Sequence, residues 1–233
     1  MSTLKFEDQK FPDHAGLQDY ARLAERFIPG RRAIFAIVEA CFIELIPQGP
    51  AHILVVGAGG GEEIIRLGEG NPQWSFFGVD TYEPMVDLAR QRLSEVPAGS
   101  RSRLQTGKIE ELDVKDFDAA TCILTAHFVP DDGSKLAFFE AIRARLKPSA
   151  PLALVDGVGV SGEEETELLR RIWKRHAVRN GAPPDVAEVN AKNFEKVAIV
   201  SAARQEELLR TAGFQRLTPI FRGLVIEGWL AFA

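Results

Sequence analysis

A run of glycines followed at once by two glutamates is the densest group of residues in this chain that could do chemistry. The segment ILVVGAGGGEEIIRLGEG, residues 53–70, leads from an apolar run through the glycines into a helical pattern. Gly57, Gly59 and Gly61 have no side chains, so backbone can approach a ligand closely there. In open α/β sheets, the turn from the first strand into its helix is a common ligand site. A tight turn that only packs helix on strand is the alternative reading.

The two glutamates restrict what that ligand can be. The glycine spacing is G-x-G-x-G, whereas a dinucleotide-binding turn needs a third glycine at the position of Glu62. Such a turn also places a diphosphate at the helix N-terminus. Two unit charges about 5 Å apart repel by roughly 3 kcal/mol at an effective dielectric of 20. Glu62 and Glu63 therefore favour a ligand without phosphate that carries positive charge, and S-adenosylmethionine, with its sulfonium and ammonium groups, meets that description.

A second carboxylate stands at the end of the next predicted strand. Asp80 closes the segment WSFFGVD, 23 residues after Gly57. A carboxylate in that place can accept hydrogen bonds from both hydroxyls of a ribose, which suits any adenosine cofactor. Capping of the following helix is the alternative role.

Four segments, taken in order, resemble the class I S-adenosylmethionine-dependent methyltransferases. They are ILVVGAGGG, GVDTYEPM, LQTGKIEEL and FFEAIRARLKPSAPLALVD. The resemblance covers residues 50–156 and the terminal hairpin. It implies a Rossmann-like, seven-stranded, mostly parallel sheet with an antiparallel last strand, and S-adenosylmethionine as cofactor. The residues that it implies for cofactor binding are Gly57, Ala58 and Gly59 at the methionine part, Asp80 at the ribose, Thr81 and Met85 beside the adenosine, Gly107, Lys108 and Ile109 by the adenine, and Leu124 and Thr125 at the methionine end.

The chain departs from the family pattern at two positions. Many relatives carry an acidic residue two before the first glycine, where this chain has Val55, and many carry an aspartate where it has Lys108. A lysine only donates hydrogen bonds, so it cannot accept from the adenine amino group. These differences weaken two expected cofactor anchors, and they keep a non-catalytic cofactor-binding sensor as an alternative function.

A histidine follows the fourth predicted strand in the segment ILTAHFVPDD. His127 would lie near the transferred methyl group, where it could act as a base or orient a substrate. An imidazole titrates near neutral pH, so either role is open to it. A histidine that packs under a lid or caps a turn is the equal alternative.

Two arginines begin the second predicted helix, where positive charge opposes the helix dipole. Arg31 and Arg32 stand there without a carboxylate three or four residues later, at a cost of about 0.3–1 kcal/mol each. The placement suggests an anion, either the cofactor carboxylate or an acidic substrate, and we assign both as substrate-binding candidates. Two solvated cations are the alternative, since long basic side chains reach water easily.

Strands and helices alternate along most of the chain, which predicts a doubly wound, mostly parallel α/β sheet with helices on both faces. FQRLTPIFR and GLVIEGWLAFA predict an antiparallel hairpin at the sheet edge, because their connection is so short. We predict one domain over 1–233. An N-terminal helical lid spans 14–46 and contains helices 14–28 and 31–46. A cofactor-binding core follows at 50–156, and then a helical insertion at 160–200, in which residues 161–164 (Ser161 to Glu164) would cap the helix. The last helix and the edge hairpin occupy 201–233.

Composition narrows the class of protein further. The chain has 233 residues, a formal net charge of −5 and only two cysteines, both in apolar runs. We therefore expect a cytoplasmic protein with reduced cysteines, no membrane span, and no metal site. The basic helix from Arg170 to Arg179 could touch nucleic acid, but its apolar stripe favours a lid, so nucleic acid is not the expected partner.

The sequence thus predicts a methyltransferase acting on a small molecule, an acidic one if Arg31 and Arg32 bind the substrate, with a homodimer as one expected assembly. Besides the sensor, a nicotinamide-dependent dehydrogenase is an alternative. So is a carboxy-S-adenosylmethionine synthase-like enzyme, which modifies the cofactor itself and which RFIPGRRAIF and the insertion resemble. Such enzymes carry a tyrosine after the Pro-Gly, where Arg31 stands, and a carboxylate-binding arginine in the insertion, where this chain has Asn190 with Lys192 nearby. Ordinary methyl transfer is favoured for that reason.

Overall fold

The computed structural model describes residues 22–194 and 196–233. A seven-stranded sheet with the order β3-β2-β1-β4-β5-β7-β6 forms its centre. The strands are β1 (Ala51–Val56), β2 (Trp74–Asp80), β3 (Ser102–Thr106), β4 (Ala119–Ile123), β5 (Pro151–Gly157), β6 (Gln215–Gly223) and β7 (Ile226–Phe232). Of these strands, β7 alone runs opposite to the other six, so the predicted fold class is confirmed.

Helices cover both faces of this sheet. Within the described residues they are α1 (Arg31–Leu45), α2 (Glu62–Gly70), α3 (Glu83–Leu93), α4 (Ser134–Arg143), α5 (Glu164–Arg179), α6 (Pro184–Phe194) and α7 (Ala202–Thr211). Residues 22–27 are also helical, whereas residues 14–21 of the first predicted helix lie outside the described residues. No helix within the described ranges is long and apolar enough to cross a lipid bilayer.

The core forms two layers because side chains alternate across each strand. Ile53 and Val55 of β1 belong to the layer that contains buried residues of α1, α2, α5 and α6, and Leu54 and Val56 belong to the layer that contains those of α4 and α7. Both faces of the parallel strands are therefore covered, as their nearly continuous apolar runs require. Strand order reverses beside β1, whose neighbours are β2 and β4. Ligands bind at such a switch point in open α/β sheets.

The insertion begins differently from the sequence prediction. The prediction that the segment beginning at Ser161 caps this helix is wrong, because α5 starts after Glu163 and no side chain caps it. Thr166 accepts a hydrogen bond from the Val160 amide at 3.0 Å instead. The insertion then packs on the N-terminal segment, since Trp173 Nε1 donates to the carbonyl of Phe27 at 2.7 Å.

Candidate active site

A cavity of about 1190 Å³, including its open mouth, lies at the carboxyl ends of β1, β2 and β4. The glycine turn between β1 and α2 forms its floor, and residues of α1 and of the segment before it form one wall. Most of the residues predicted to bind the cofactor line this cavity. They are Gly57, Ala58, Gly59, Asp80, Thr81, Met85, Gly107, Ile109, Leu124 and Thr125.

The glycine turn needs its glycines for conformation and for space. Gly57, Gly59 and Gly61 have φ of 74°, 48° and 78°, a region that side chains disfavour. A Cβ on Gly57 would lie 1.9 Å from Oγ1 of Thr125. The amides of Gly57 and Ala58 both donate to the carbonyl of Val79, at 2.8 and 3.1 Å. The turn is therefore fixed against β2 with bare backbone facing the cavity.

Gly57→Ala is expected to lower both thermal stability and affinity for adenosylhomocysteine, the latter by at least about 10-fold. The added methyl group requires Thr125 to move out of the cavity floor, in addition to a strained φ that costs about 1–2 kcal/mol. Gly162→Ala is the matched control, because Gly162 has a similar φ of 84° and no described atom lies within 4 Å of where its Cβ would stand. Calorimetric titration and thermal melting measure both effects. Equal effects of the two substitutions would contradict the steric explanation.

Asp80 is held at the cavity wall by backbone donors. Its Oδ2 accepts from the Gly59 amide at 2.8 Å, and its Oδ1 accepts from the Tyr82 amide at 2.9 Å. Burial raises the pKa of Asp80, while the hydrogen bonds from Tyr82, Gly59 and Thr81 work against that rise. Each oxygen retains a lone pair, so this carboxylate can accept two hydroxyl hydrogen bonds from a ligand.

Although the sequence spacing indicates only Arg66, four residues later, three arginines compensate the charge of Glu62. Its Oε1 accepts from Arg66 at 2.7 Å and its Oε2 from Arg92 at 2.6 Å, while Arg31 lies 4.0 Å away. Partial burial favours a higher pKa for Glu62, but these three guanidinium groups outweigh it and the pKa is lowered. Arg92 also donates to the carbonyl of Gly60 at 2.7 Å, so it braces the turn.

Glu63 is buried rather than presented to solvent, with an exposure of 7%. Burial raises its pKa to about 7, against opposing effects of Thr121 and Arg31. The sequence prediction that two free glutamate charges repel a phosphate is therefore wrong. The charge of Glu62 is paired with arginines, and Glu63 is partly protonated near neutral pH.

Lys108 does not line the cavity. Its side chain is exposed, and its backbone amide is used within the turn, where it donates to Glu111 Oε2 at 3.3 Å. The neighbouring Gly107 and Ile109 both line the cavity. The structure thus brings the segment to the site but not the lysine.

The two arginines of α1 differ in their placement. The side chain of Arg31 is 11% exposed and lines the cavity, whereas that of Arg32 is 78% exposed and lies away from it. Both contact Glu25, at 3.5 and 3.0 Å, so a carboxylate that precedes the helix compensates them. Of these two arginines, Arg31 is the one that lines the cavity.

His127 lies outside this first cavity and lines a second one of about 850 Å³, including its mouth. The two cavities share a wall made by Ala24, Ile28, Leu124 and Phe128. Most of the second cavity is apolar, with Phe27, Trp173 and Phe194 from three different elements. Its polar lining residues are His127, Asn190 and Asn193.

A buried aspartate orients His127. Asp156, at the end of β5, is 1% exposed, and its Oδ1 is hydrogen-bonded to His127 Nδ1. A carboxylate only accepts, so Nδ1 carries the proton and the lone pair of neutral His127 is on Nε2. No hydrogen bond joins Nε2 to a residue in the described ranges.

Lys135 fixes the loop that carries His127. Its Nζ is buried and donates to the carbonyls of Ala126, at 2.9 Å, and Ala198, at 2.7 Å. The amide of Ala198 in turn donates to the carbonyl of His127 at 2.7 Å. Burial lowers the pKa of Lys135, and the nearby negative charge of Asp156 opposes that shift. Asp156 therefore stabilises the charged form of Lys135.

Sequence reasoning missed Arg92, Lys135 and Asp156. The position of Asp156 at the end of an apolar strand, like that of Asp80, could have indicated a functional carboxylate. Its pairing with His127, 29 residues earlier, could not be inferred from the sequence. Among the residues that the structure describes, no group of three His, Cys, Asp or Glu side chains could hold a metal ion.

Comparisons with known proteins agree with this arrangement. Residues 54–152 match the family model described as a methyltransferase domain. A carboxy-S-adenosyl-L-methionine synthase of Campylobacter hominis is 23% identical over 184 residues, which are 78% of this chain and 75% of that protein. A structure of an Aquifex aeolicus S-adenosylmethionine-dependent methyltransferase has a TM-score of 0.60 at 18% identity, covering 91% of this chain and 97% of that one. An O-methyltransferase family protein of Burkholderia thailandensis has a TM-score of 0.71 at 12% identity; the match covers 98% of this chain but spans only 62% of that longer protein.

Proposed function

Because the chain carries a class I S-adenosylmethionine-dependent methyltransferase domain, we propose that it methylates a hydroxyl group of a small, largely apolar molecule. The observation that carries this proposal is the hydrogen bond between His127 and Asp156 beside an apolar cavity. That cavity shares a wall with the cofactor cavity, so an acceptor in one can meet a methyl donor in the other.

The residues of the first cavity fit the cofactor. Bare backbone at Gly57 and Gly59 leaves room for the amino acid part, and Asp80 offers carboxylate oxygens to a ribose. Met85 and Ile109 supply apolar contacts for an adenine. When bound, S-adenosylmethionine supplies a methyl group on a sulfonium, and transfer leaves adenosylhomocysteine.

His127 would hold the acceptor and remove its proton. The imidazole Nε2 accepts the hydroxyl proton as the oxygen forms its bond to the methyl carbon, and Asp156 stabilises the imidazolium that results. Phe128 and Leu124, which line both cavities, would exclude water and position the acceptor. No arginine or lysine of the described ranges lines the second cavity, so a neutral acceptor fits better than the acidic one expected from the sequence.

The test of this function is transfer of radiolabelled methyl groups. The protein is incubated with labelled cofactor and a panel of substituted phenols, aliphatic alcohols, amines and carboxylic acids of similar size. Label in methyl ethers of the hydroxyl compounds supports the proposal. Label confined to amines or carboxylates would reject hydroxyl transfer, and tight cofactor binding without any transfer would favour the sensor.

Modification of the cofactor itself is a second candidate, because curated relatives include carboxy-S-adenosyl-L-methionine synthases. Asn190 lines the second cavity at the position where the resemblance places a carboxylate-binding arginine. A neutral amide there cannot neutralise a second carboxylate. Mass spectrometry of cofactor recovered after turnover separates the two reactions, since only the second one yields a carboxylated cofactor.

We assign Arg31 to the carboxylate of the cofactor rather than to a substrate. Arg31→Ala is expected to weaken adenosylhomocysteine binding by about 10-fold or more, as loss of a charge-assisted hydrogen bond would. Binding of methylthioadenosine, which lacks the amino acid part, should remain unchanged. Arg32→Ala is the matched control, and equal titration curves for the two variants would contradict this assignment.

We also propose that two copies pair weakly through the exposed face of α5. Glu165, Leu168, Ile172 and Arg175 follow one another at spacings of three, four and three residues, and all four are exposed. In an antiparallel pair centred at position 170, each Glu165 faces Arg175 of the second copy and each Leu168 faces Ile172. The surface is thus self-complementary, as a two-fold interface requires.

Charge reversal tests this pairing. Glu165→Arg and Arg175→Glu should each abolish dimers seen by sedimentation at low salt, while an equimolar mixture of the two variants should restore them. Wild-type protein that stays monomeric, or variants that dimerise as the wild type does, would contradict it.

A further inference from the structure

A polar group without a partner lies in the wall of the cofactor cavity. Glu63, in the first turn of α2, lines that cavity, and its buried Oε1 has no hydrogen-bond partner among the described residues. Burying a polar atom without a partner is costly, so nearly all such atoms in folded proteins are paired. Other described side chains share this lack of a partner, but Glu63 is the one among them that lines the cofactor cavity. A ligand in that cavity can therefore supply a partner for its carboxyl group.

A buried hydroxyl adjoins it. Thr121 of β4 is fully buried, and interaction with its Oγ1 lowers the pKa of Glu63, although Oγ1 and Glu63 Oε1 form no hydrogen bond of good geometry with each other or with another described residue. The register of the sheet sets Thr121 beside Val55 of β1, and both lie on the face that α2 covers. Glu63, in the first turn of α2, thus lies on the same side of the sheet as Val55, which supplies no acidic side chain.

The groups facing Glu63 from neighbouring elements are of both signs. Arg31 of α1 and the Thr121 hydroxyl of β4 favour the ionised carboxylate of Glu63, whereas burial and the charge of Asp80 of β2 raise its pKa. The neighbouring Cys122 of β4 is a buried thiol whose own pKa is raised well above its ordinary value. Burial dominates, so the pKa of Glu63 is raised to about 7. A cation placed against this carboxyl would restore its charge near neutral pH.

We propose that Glu63, positioned by the buried Thr121 behind it, forms a subsite for the primary ammonium group of the cofactor's amino acid end. Glu63 accepts from the ammonium and takes the part that an acidic residue at position 55 cannot play here. Arg31, on the same wall of the cavity, binds the adjacent carboxylate. The inference depends on S-adenosylmethionine as cofactor and is independent of the acceptor or of His127.

This subsite makes cofactor binding depend on pH. Below about pH 7, Glu63 is mostly protonated, so binding of the ammonium must release that proton. Affinity is then expected to fall as the pH is lowered from about 7 to about 5.5, by at most about 10-fold per pH unit for one proton. The direction follows from the raised pKa: the unliganded protein holds a proton that the complex does not.

The test compares adenosylhomocysteine with its analogue that lacks the amino group. Wild-type protein should bind adenosylhomocysteine about 10–100-fold more tightly, the range of a charge-assisted hydrogen bond. In Glu63→Gln that ratio should fall towards one and the pH dependence should flatten. Glu69→Gln is the matched control, because it removes the same charge from an exposed position of α2.

A purely structural role of Glu63 makes a different prediction. It would lower the affinity for both ligands equally, or leave the ratio and the pH profile as in the wild type, and either result overturns the proposal. Thr121→Val is a second variant, expected to reduce the same ratio by a smaller factor, if Glu63→Gln does not fold. Wild-type protein that fails to bind adenosylhomocysteine would instead overturn the cofactor site as a whole, whereas absent hydroxyl methylation with intact binding leaves the ammonium subsite standing.

Discussion

Asp80→Ala is expected to lower the affinity for adenosylhomocysteine by at least about 100-fold. Two hydrogen bonds to a charged carboxylate contribute about 3–6 kcal/mol together, and alanine removes both. Asp80 also accepts from the amides of Gly59 and Tyr82, so its loss additionally loosens the glycine turn. Calorimetric titration measures the affinity, and circular dichroism with thermal melting checks the fold.

Two further variants sharpen the Asp80 experiment. Asp80→Asn keeps the shape and one acceptor oxygen but no charge, so an intermediate loss is expected. Asp87→Ala removes an aspartate from the exposed side of α3, where it pairs with Arg90, and should leave affinity unchanged. If Asp80→Ala folds and its affinity for adenosylhomocysteine stays within about 2-fold of the wild type, Asp80 does not bind the ribose.

His127→Ala is expected to reduce methyl transfer to a hydroxyl acceptor by about 10²–10⁴-fold, the usual contribution of a general base. Cofactor affinity should change little, because His127 lines the second cavity and not the first. The lost activity should recover partly at high pH, where an acidic acceptor such as a phenol ionises without help. Initial rates with the acceptor found by methyl labelling, measured across pH, check both effects.

Asp156→Asn tests the orientation of His127. An amide can donate to Nδ1 and thereby place the imidazole proton on Nε2, where it blocks proton removal. The loss of rate should therefore approach that of His127→Ala, although asparagine has the same shape and the fold should persist. His176→Ala, on α5, is the control for a histidine outside both cavities. Full activity in Asp156→Asn would contradict the role of His127 as a base oriented by Asp156 and would favour a packing role.

Much of the cofactor site could be predicted because its residues lie in consecutive local motifs. The positive φ angles at Gly57, Gly59 and Gly61 follow from glycine itself, and Asp80 stands at the end of a strand whose apolar run is unmistakable. Parallel strands bring such ends to one edge of the sheet. The turn and the aspartate therefore had to meet, whatever the details of packing.

The electrostatics of the same turn could be predicted only in part. The spacing of Glu62 and Arg66 indicates one ion pair, but Arg92, which also compensates Glu62, is 30 residues away, and Glu63 owes its raised pKa to burial against the sheet. Similarly, Arg31 and Arg32 are adjacent in sequence, yet the helix turns one into the cavity and the other into solvent. Charge compensation and burial depend on neighbours that are distant in the chain.

The sequence by itself determined the sheet, the bare glycine turn and the carboxylate at its side, because periodicity, φ preference and strand ends are local properties. The tertiary structure alone decided that His127 is paired with Asp156 and that it faces a second cavity, which residues 22–28, α5 and α6 enclose together. Proton transfer requires contact between atoms, and such contact arises only when distant segments pack.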